Sequence, residues 1–252
     1  MAGDLIIDKL GLSAADRAMV VAETDLVINC AASTNFDDPL LDALEINYFG
    51  CLRMVELATE CKNLLCYTHV STAYTNSNCT GHNFIEEKIY DLEGGKDPRE
   101  LVAEIKRMDP KKVQETEMQI IGDYPNTYTF TKSLVEKTLK RLNTIPISII
   151  RPSIIISCYK EPLRGWTDTL SAAGGLTYAV SIGLIKNIKA KATSIFDIIP
   201  CDYVTNLIIA QTVHHSTMRK TNLQVSHSSS GYLNPTSISF VTEILNDYAT
   251  YN

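Results

Sequence analysis

The sequence has a single tryptophan, no C-x-x-C pair, no run of basic residues and no apolar stretch of about 18 residues. Each absence removes a class of protein. Without a long apolar run, nothing reads as a membrane-spanning helix. Residues 176–185 come nearest, but Thr177, Tyr178, Ser181 and Gly183 interrupt them, so they read as a core or pocket-lining helix. The lack of basic clusters, with a net charge of −6, argues against non-specific nucleic-acid binding. Seven cysteines without a C-x-x-C pair read as reduced, buried thiols of an intracellular protein. Five scattered histidines form no ligand spacing, and no metal is expected. Met1-Ala2-Gly3-Asp4 has neither the charged region nor the apolar core of a signal peptide. What is present, 252 residues at 45% hydrophobic, suits one large α/β domain, or one domain with a small lobe.

Along the chain, short apolar runs alternate with helical patterns. Ser13-Ala14-Ala15-Asp16 resembles a capping box opening a helix to about residue 23. Residues 25–30 (DLVINC) read as a buried strand that ends in Ala31-Ala32, small enough for a flat ligand to approach the backbone, or simply for tight packing. Asp37-Asp38-Pro39 opens a long helix to about residue 61, interrupted by Asn47 and Gly50. A mid-helix Asn is a poor helix former; it either bonds a backbone carbonyl or a water near a site, or faces solvent. Residues 64–70 form a second strand, closing in Ser71-Thr72-Ala73-Tyr74. A polar loop over 75–95 and a charged helical stretch over 97–121, broken at Asp109-Pro110, follow. Residues 145–150 (IPISII) are a third strand, ending in Arg151-Pro152-Ser153. A helix after Asp202, a strand over 223–228 and a helix over 237–248 complete the chain.

Tyr124-Pro125-Asn126 stops what precedes it, and good helix formers run from Tyr128 to about Arg141. Tyr128 and Lys132 stand four apart, on one helix face. A cation beside a phenol lowers its pKa and suits it to proton transfer. With 12 tyrosines and 15 lysines, chance supplies about 0.7 such pairs, so the pair alone identifies nothing. The strand–helix alternation gives it context. It predicts a doubly wound parallel sheet, with Ala31-Ala32, Ser71-Thr72, Arg151-Pro152-Ser153 and the start of the Tyr128 helix at one edge, where open α/β sheets bind ligands.

These residues resemble the extended short-chain dehydrogenase/reductase superfamily, on Cys30-Ala31-Ala32, Asn47, Val70-Ser71-Thr72-Ala73-Tyr74, Tyr128-x-x-x-Lys132 and Arg151-Pro152-Ser153. The ordered segments VSTAY, IEEKIY, NTYTFTKSLVE, IIRPSII, EPLRGW and IPCDYVTN are similar to the alcohol-forming fatty acyl-CoA reductases, from Gly3 to about Ala210. The resemblance implies a Rossmann-like fold and NADPH-dependent reduction of a long-chain fatty acyl-CoA, through an aldehyde, to a fatty alcohol. It makes Tyr128 the proton donor, and Lys132 the residue that lowers its pKa and binds the nicotinamide ribose. Thr72, with Ser71 as its competitor, polarises the carbonyl, and Asn47 holds a relay water. It places Asp4 and Leu5 at the adenine, Ala31 and Ala32 along the dinucleotide, and Pro152, Ser153, Ile154 and Ile155 beside the nicotinamide. Trp166 lines the acyl channel, or else sits in the core or anchors a loop.

The resemblance also implies an opening strand and a G-x-x-G-x-x-G turn, which this sequence lacks, together with the residue that chooses between NAD and NADP. The expectation is an N-terminally truncated reductase domain over residues 1–252, with about 153–252 forming the substrate-side lobe. An uncovered sheet edge and weak cofactor binding follow from it. Two other readings stand beside it: another extended reductase or epimerase, and a non-catalytic remnant forming a homo- or hetero-oligomer with a full-length relative by strand addition. Attachment to the endoplasmic reticulum or peroxisome surface is implied by the resemblance alone.

Overall fold

In the computed structural model, residues 1–79, 84–142, 144–169, 172–218 and 223–251 are described. Helix α1 (Ala14–Glu23) starts where Ser13 Oγ accepts the Asp16 N–H at 3.1 Å, the cap expected from sequence. Strand β1 (Leu26–Asn29) follows. The predicted long helix begins at α2 (Leu40–Ala43) with Pro39 as its N-cap. It passes through a π-helical turn over Leu44–Phe49 and continues as α3 (Gly50–Glu60). The π turn holds Asn47, so the interruption read from sequence is a real change of helix geometry. Strand β2 (Cys66–Val70) leads to a 3-10 turn at Ala73–Asn76. The charged stretch forms α4 (Pro98–Arg107), α5 (Pro110–Glu115) and α6 (Glu117–Ile121), the first two capped by Asp97 and Asp109. Helix α7 (Thr127–Leu139) is capped by Asn126, whose Oδ1 accepts the Thr129 N–H at 2.9 Å. Strand β3 (Ile147–Pro152) follows it.

Beyond β3 come β4 (Ile154–Ile156), α8 (Ala172–Ser181), β5 (Ile198–Pro200), α9 (Cys201–Met218), β6 (Gln224–Ser228) and α10 (Ile238–Tyr251). One sheet has the order β1-β2-β3-β6; β4 and β5 pair in parallel as a second, two-stranded sheet. The β1–β2 and β2–β3 pairs are parallel, with Asn29 opposite His69 and Val70 opposite Ile150. That register brings the carboxyl ends of three strands to one edge, as the alternation predicted. Strand β3 is buried throughout, as a central parallel strand should be. The outermost strand β1 alternates: Val27 and Asn29 are buried, whereas Leu26 and Ile28 are exposed.

The chain forms two compact units. The first comprises Met1–Arg151 and Ala210–Ser226, the second Pro152–Ile209 and His227–Asn252. The core of the first packs Leu40, Leu44, Tyr48 and Val55 against Tyr67, Ile147, Ile149 and the Leu134, Val135 and Leu139 side of α7. Each such side chain, fully buried, contributes about 1.5–3 kcal/mol.

Helix α7 is unusual in burying polar residues on every side. Its Thr131, Lys132, Ser133, Glu136, Lys137 and Thr138 are all buried. Partners explain how it tolerates this. Thr138 Oγ1 shares a 3.0 Å bond with Tyr48 Oη, and Ser133 Oγ a 2.7 Å bond with Tyr124 Oη. Lys137 Nζ donates to Ser133 and, at 3.4 Å, to Tyr124. Glu136 is ion-paired with Arg151.

Two expectations need correction. Residues 176–185 are not core, because Leu176, Tyr178, Ile182 and Leu184 are exposed. The strands β4 and β5 were not anticipated: a three-residue apolar run carries no period from which to read a strand.

Candidate functional site

The carboxyl edge of the first unit's sheet gathers most of the residues singled out from sequence. Thr72 follows β2 and caps the 3-10 turn, its Oγ1 accepting the Tyr74 N–H at 3.3 Å. Its hydroxyl lies near enough to the Tyr128 phenol to draw the phenol's pKa down. Ser71, one residue earlier, is buried, and its Oγ has no hydrogen-bond partner among the described residues. Of the two competing hydroxyls, Thr72 is therefore the one that acts on the phenol, while Ser71 has no partner among the described residues.

Lys132 lies one helical turn beyond Tyr128, only 3% exposed, with Nζ donating to the Val70 carbonyl at 3.0 Å. Burial brings its pKa down to about 8, against the opposing pull of Cys51, Glu136 and Cys30. The expected lowering of the Tyr128 pKa by Lys132 is not found. Burial pushes the phenol up, the Thr72 hydroxyl opposes this, and Lys132 is not among the groups that move it. The ammonium is held by a backbone carbonyl of β2 instead. A phenol held above its ordinary pKa keeps its proton at neutral pH, which suits a donor.

Asn47 settles the alternatives left open for it. It is buried, its Oδ1 accepts the Ser33 N–H at 2.8 Å, and its Nδ2 donates to the Ser33 carbonyl (3.3 Å) and to Thr131 Oγ1 (3.2 Å). It thus ties the turn after β1 to helix α7. The same turn is held from the other side by Asn29, whose Oδ1 accepts the Ala31 N–H at 3.2 Å and whose Nδ2 donates to Tyr67 Oη at 2.9 Å. Two buried amides therefore fix the Ala31-Ala32-Ser33 backbone.

Asp4 and Leu5 lie against α3. Arg53 donates to the Leu5 carbonyl at 2.7 Å, and a Cβ on Gly50 would stand 3.0 Å from the Leu5 Cβ. The glycine read as a helix interruption is what lets this segment pack close. Asp4 folds on itself, its Oδ1 accepting the Ile6 N–H at 3.0 Å. Pro152, Ser153, Ile154 and Ile155 belong to the second unit. There Ser153 N donates to the Ser228 carbonyl (2.9 Å) and Ile154 N to that of Asp197 (3.1 Å).

Sequence reasoning missed several residues that hold this site. His69, beneath Lys132 on β2, is buried against Cys51 Sγ at 3.7 Å; burial and the Lys132 charge take its pKa well below the ordinary value. Glu136 and Arg151 form a fully buried pair at 2.5 Å, and Arg151 also donates to the Glu86 and Lys88 carbonyls. The signal for Glu136 was present, since it continues the Tyr128, Lys132 spacing by one more turn. Phe36 packs on the Tyr128 ring, with centroids 5.6 Å apart.

The second unit holds a cleft of about 430 Å³ lined by Cys158, Glu161, Pro162, Trp166, Cys201 and Asp202, among others. Asp202 closes one wall by accepting the Tyr159, Lys160 and Glu161 N–H groups at 2.9–3.2 Å. Among the described residues no cluster of His, Cys, Asp or Glu could hold a metal ion, and no helix is long and apolar enough to cross a membrane.

A parallel sheet ending in a hydroxyl pair, faced by a helix carrying Tyr128 and Lys132, defines the fold and layout of an extended short-chain dehydrogenase/reductase domain. Residues 1–208 match the NAD-binding family described as Male sterility protein, and the chain belongs to that family. Fatty acyl-CoA reductase 1 of Homo sapiens is 33% identical over 233 residues, covering 92% of this chain and 44% of that protein. The chain thus spans less than half the length of that relative. Among solved structures, the terminal R domain of the myxalamid PKS-NRPS pathway superposes with a TM-score of 0.68 at 18% identity, over 97% of this chain and 52% of its own. The UDP-glucose-4-epimerase of Stenotrophomonas maltophila gives 0.63 at 15% identity, over 90% and 62%.

The first unit's residues fit the nicotinamide dinucleotide that this family binds. A buried ammonium stands one helical turn from Tyr128, a buried hydroxyl without a partner among the described residues ends β2, and the small-residue turn after β1 has its backbone fixed by Asn29 and Asn47.

Proposed function

We propose that this chain is the reductase portion of a fatty acyl-CoA reductase, taking a long-chain fatty acyl-CoA through an aldehyde to a fatty alcohol with NADPH, at the endoplasmic reticulum or peroxisome surface. The observation that carries the reading is that the sheet's carboxyl edge brings Thr72, at the end of β2, to the helix that opens with Tyr128, one turn from the buried Lys132, whose Nζ bonds the last carbonyl of β2. When bound, the dinucleotide supplies hydride. Tyr128 donates its proton to the oxygen of the reduced carbonyl as negative charge builds there. Thr72, with Ser71 as its competitor, supplies a hydroxyl donor to that oxygen, as a one-donor oxyanion hole. Lys132 presents a cation to the nicotinamide ribose, and Asn47 keeps the turn after β1 in register with the helix that carries the acid. Asp4, Leu5, Ala31 and Ala32 lie along the dinucleotide, and Pro152, Ser153, Ile154 and Ile155 border its nicotinamide. Residues from about 153 to 252 contribute the substrate-side lobe.

The test is acyl-CoA-dependent oxidation of NADPH, with the products identified by gas chromatography. Tyr128→Phe should lower turnover by about 10²–10⁴ while NADPH binding persists. Turnover retained by that variant, or products other than aldehyde and alcohol, would refute the assignment. The exposed Leu26 and Ile28 on the outermost strand favour a second reading, strand addition to a full-length relative. Co-purification of such a relative with the chain would support it.

A further inference from the structure

The turn between β1 and α2 carries an aromatic side chain that the chemistry above does not use. Phe36 is 58% exposed, yet its ring lies 5.6 Å from that of Tyr128 at a 35° tilt, within the range of favourable aromatic pairs. The free face of this ring, beside the acid, is open to a ligand.

The turn is built to hold it there. Ser33 Oγ accepts the Asn35 N–H at 3.3 Å and donates to Asp38, Asn35 Oδ1 accepts the Asp37 N–H at 3.2 Å, and Asn35 Nδ2 donates to Asp38 Oδ1 at 2.6 Å. Thr127, adjacent to Tyr128, donates to the Asp38 carbonyl at 2.8 Å. Asn47 clamps Ser33 to Thr131 on the same helix. Phe36 is therefore anchored on both flanks to the helix that bears the acid, and its placement is fixed before any ligand arrives.

The chemistry of the turn selects the ligand's class. Asp37 and Asp38 follow Phe36 in the chain, and two carboxylates in this turn disfavour the phosphates of CoA and of a dinucleotide. An uncharged apolar group suits the position. The Ser71 and Thr72 hydroxyls, at the carboxyl end of β2, mark where an oxygen is received at the edge that carries Tyr128. We propose that Phe36 is a specificity-determining residue, its exposed face packing on the first carbons of the substrate's acyl chain next to the reacting carbonyl. This rests on the functional reading above and deepens it.

The experiment measures binding, independently of turnover. Isothermal titration of the chain with hexadecanoyl-CoA and with acetyl-CoA gives the preference for the long chain in wild type, Phe36→Ala and Phe36→Leu, with thermal midpoints recorded for each. Phe36→Ala should cut the preference about tenfold and Phe36→Leu by less, with acetyl-CoA affinity and midpoint nearly unchanged, because the ring is surface-exposed. An unchanged preference in Phe36→Ala, or equal weakening of both ligands, would overturn the role of Phe36 while leaving the functional reading intact. A wild-type chain with no preference for hexadecanoyl-CoA would overturn the functional reading, and this inference with it.

Discussion

Replacing Glu136 by Gln removes one charge from a pair in which both partners are out of water. Arg151 is fully buried and Glu136 is 1% exposed, with Nε at 3.0 and 3.2 Å from the two carboxylate oxygens and Nη2 at 2.5 Å from one of them. Arg151 keeps its bonds to the Glu86 and Lys88 carbonyls, so the guanidinium stays in place but loses its counter-charge. Breaking such a pair from one side costs about 3–5 kcal/mol, because the remaining ion is buried and uncompensated. For a protein of this size that lowers the thermal midpoint by about 6–20 °C. Glu136→Gln with Arg151→Met removes both charges and should restore part of the loss, by about 1–3 kcal/mol. Urea titration followed by circular dichroism, on the wild type, both single variants and the double variant, completes the cycle. A single-variant cost under about 1 kcal/mol, or a double variant no better than the sum of the singles, would refute the reasoning. The perturbation also reaches the site, since the Glu136 charge supports the protonated form of Lys132. Its loss should move Lys132 still further below about 8, a shift that nitrogen-detected NMR of the ammonium can follow.

Lys132 gives a second test through pH. Its pKa is depressed from 10.5 to about 8 in the fold, so between those values the unfolded chain binds more protons and stability rises with pH. Relative to Lys132→Met, which cancels the contributions of other titrating groups, the wild type should gain about 1 kcal/mol per pH unit above about pH 8. A flat difference in urea midpoints would contradict the buried-ammonium account. Asn47→Ala deletes the bonds to Ser33 and Thr131 and leaves the half-buried Ser33 backbone groups without those partners, at about 1–3 kcal/mol for the bonds together. Hydrogen exchange at Ser33 should speed up in this variant; unchanged protection there would show that Asn47 does not hold the turn.

Much of the first unit was legible in the sequence, because its signals are local. Ser13 and Asn126 cap helices by bonds within three residues, the runs ending in Asn29, Val70 and Pro152 are apolar enough to be central strands, and alternation with helices imposes a parallel sheet whose ends coincide. Tyr128 and Lys132 share a face because helical periodicity requires it. Other features belong to tertiary structure alone. The short strands β4 and β5 exist only because each pairs with the other. That burial raises the Tyr128 phenol, and that a β2 carbonyl holds Lys132, depend on what surrounds α7. That Asn47 faces a backbone turn 14 residues away was decided by the packing of α3 beside β1 and of the π turn against α7. Capping, periodicity and apolar runs act over a few bonds and survive in the linear chain, whereas desolvation and long-range hydrogen bonds come into being only when distant segments exclude water together.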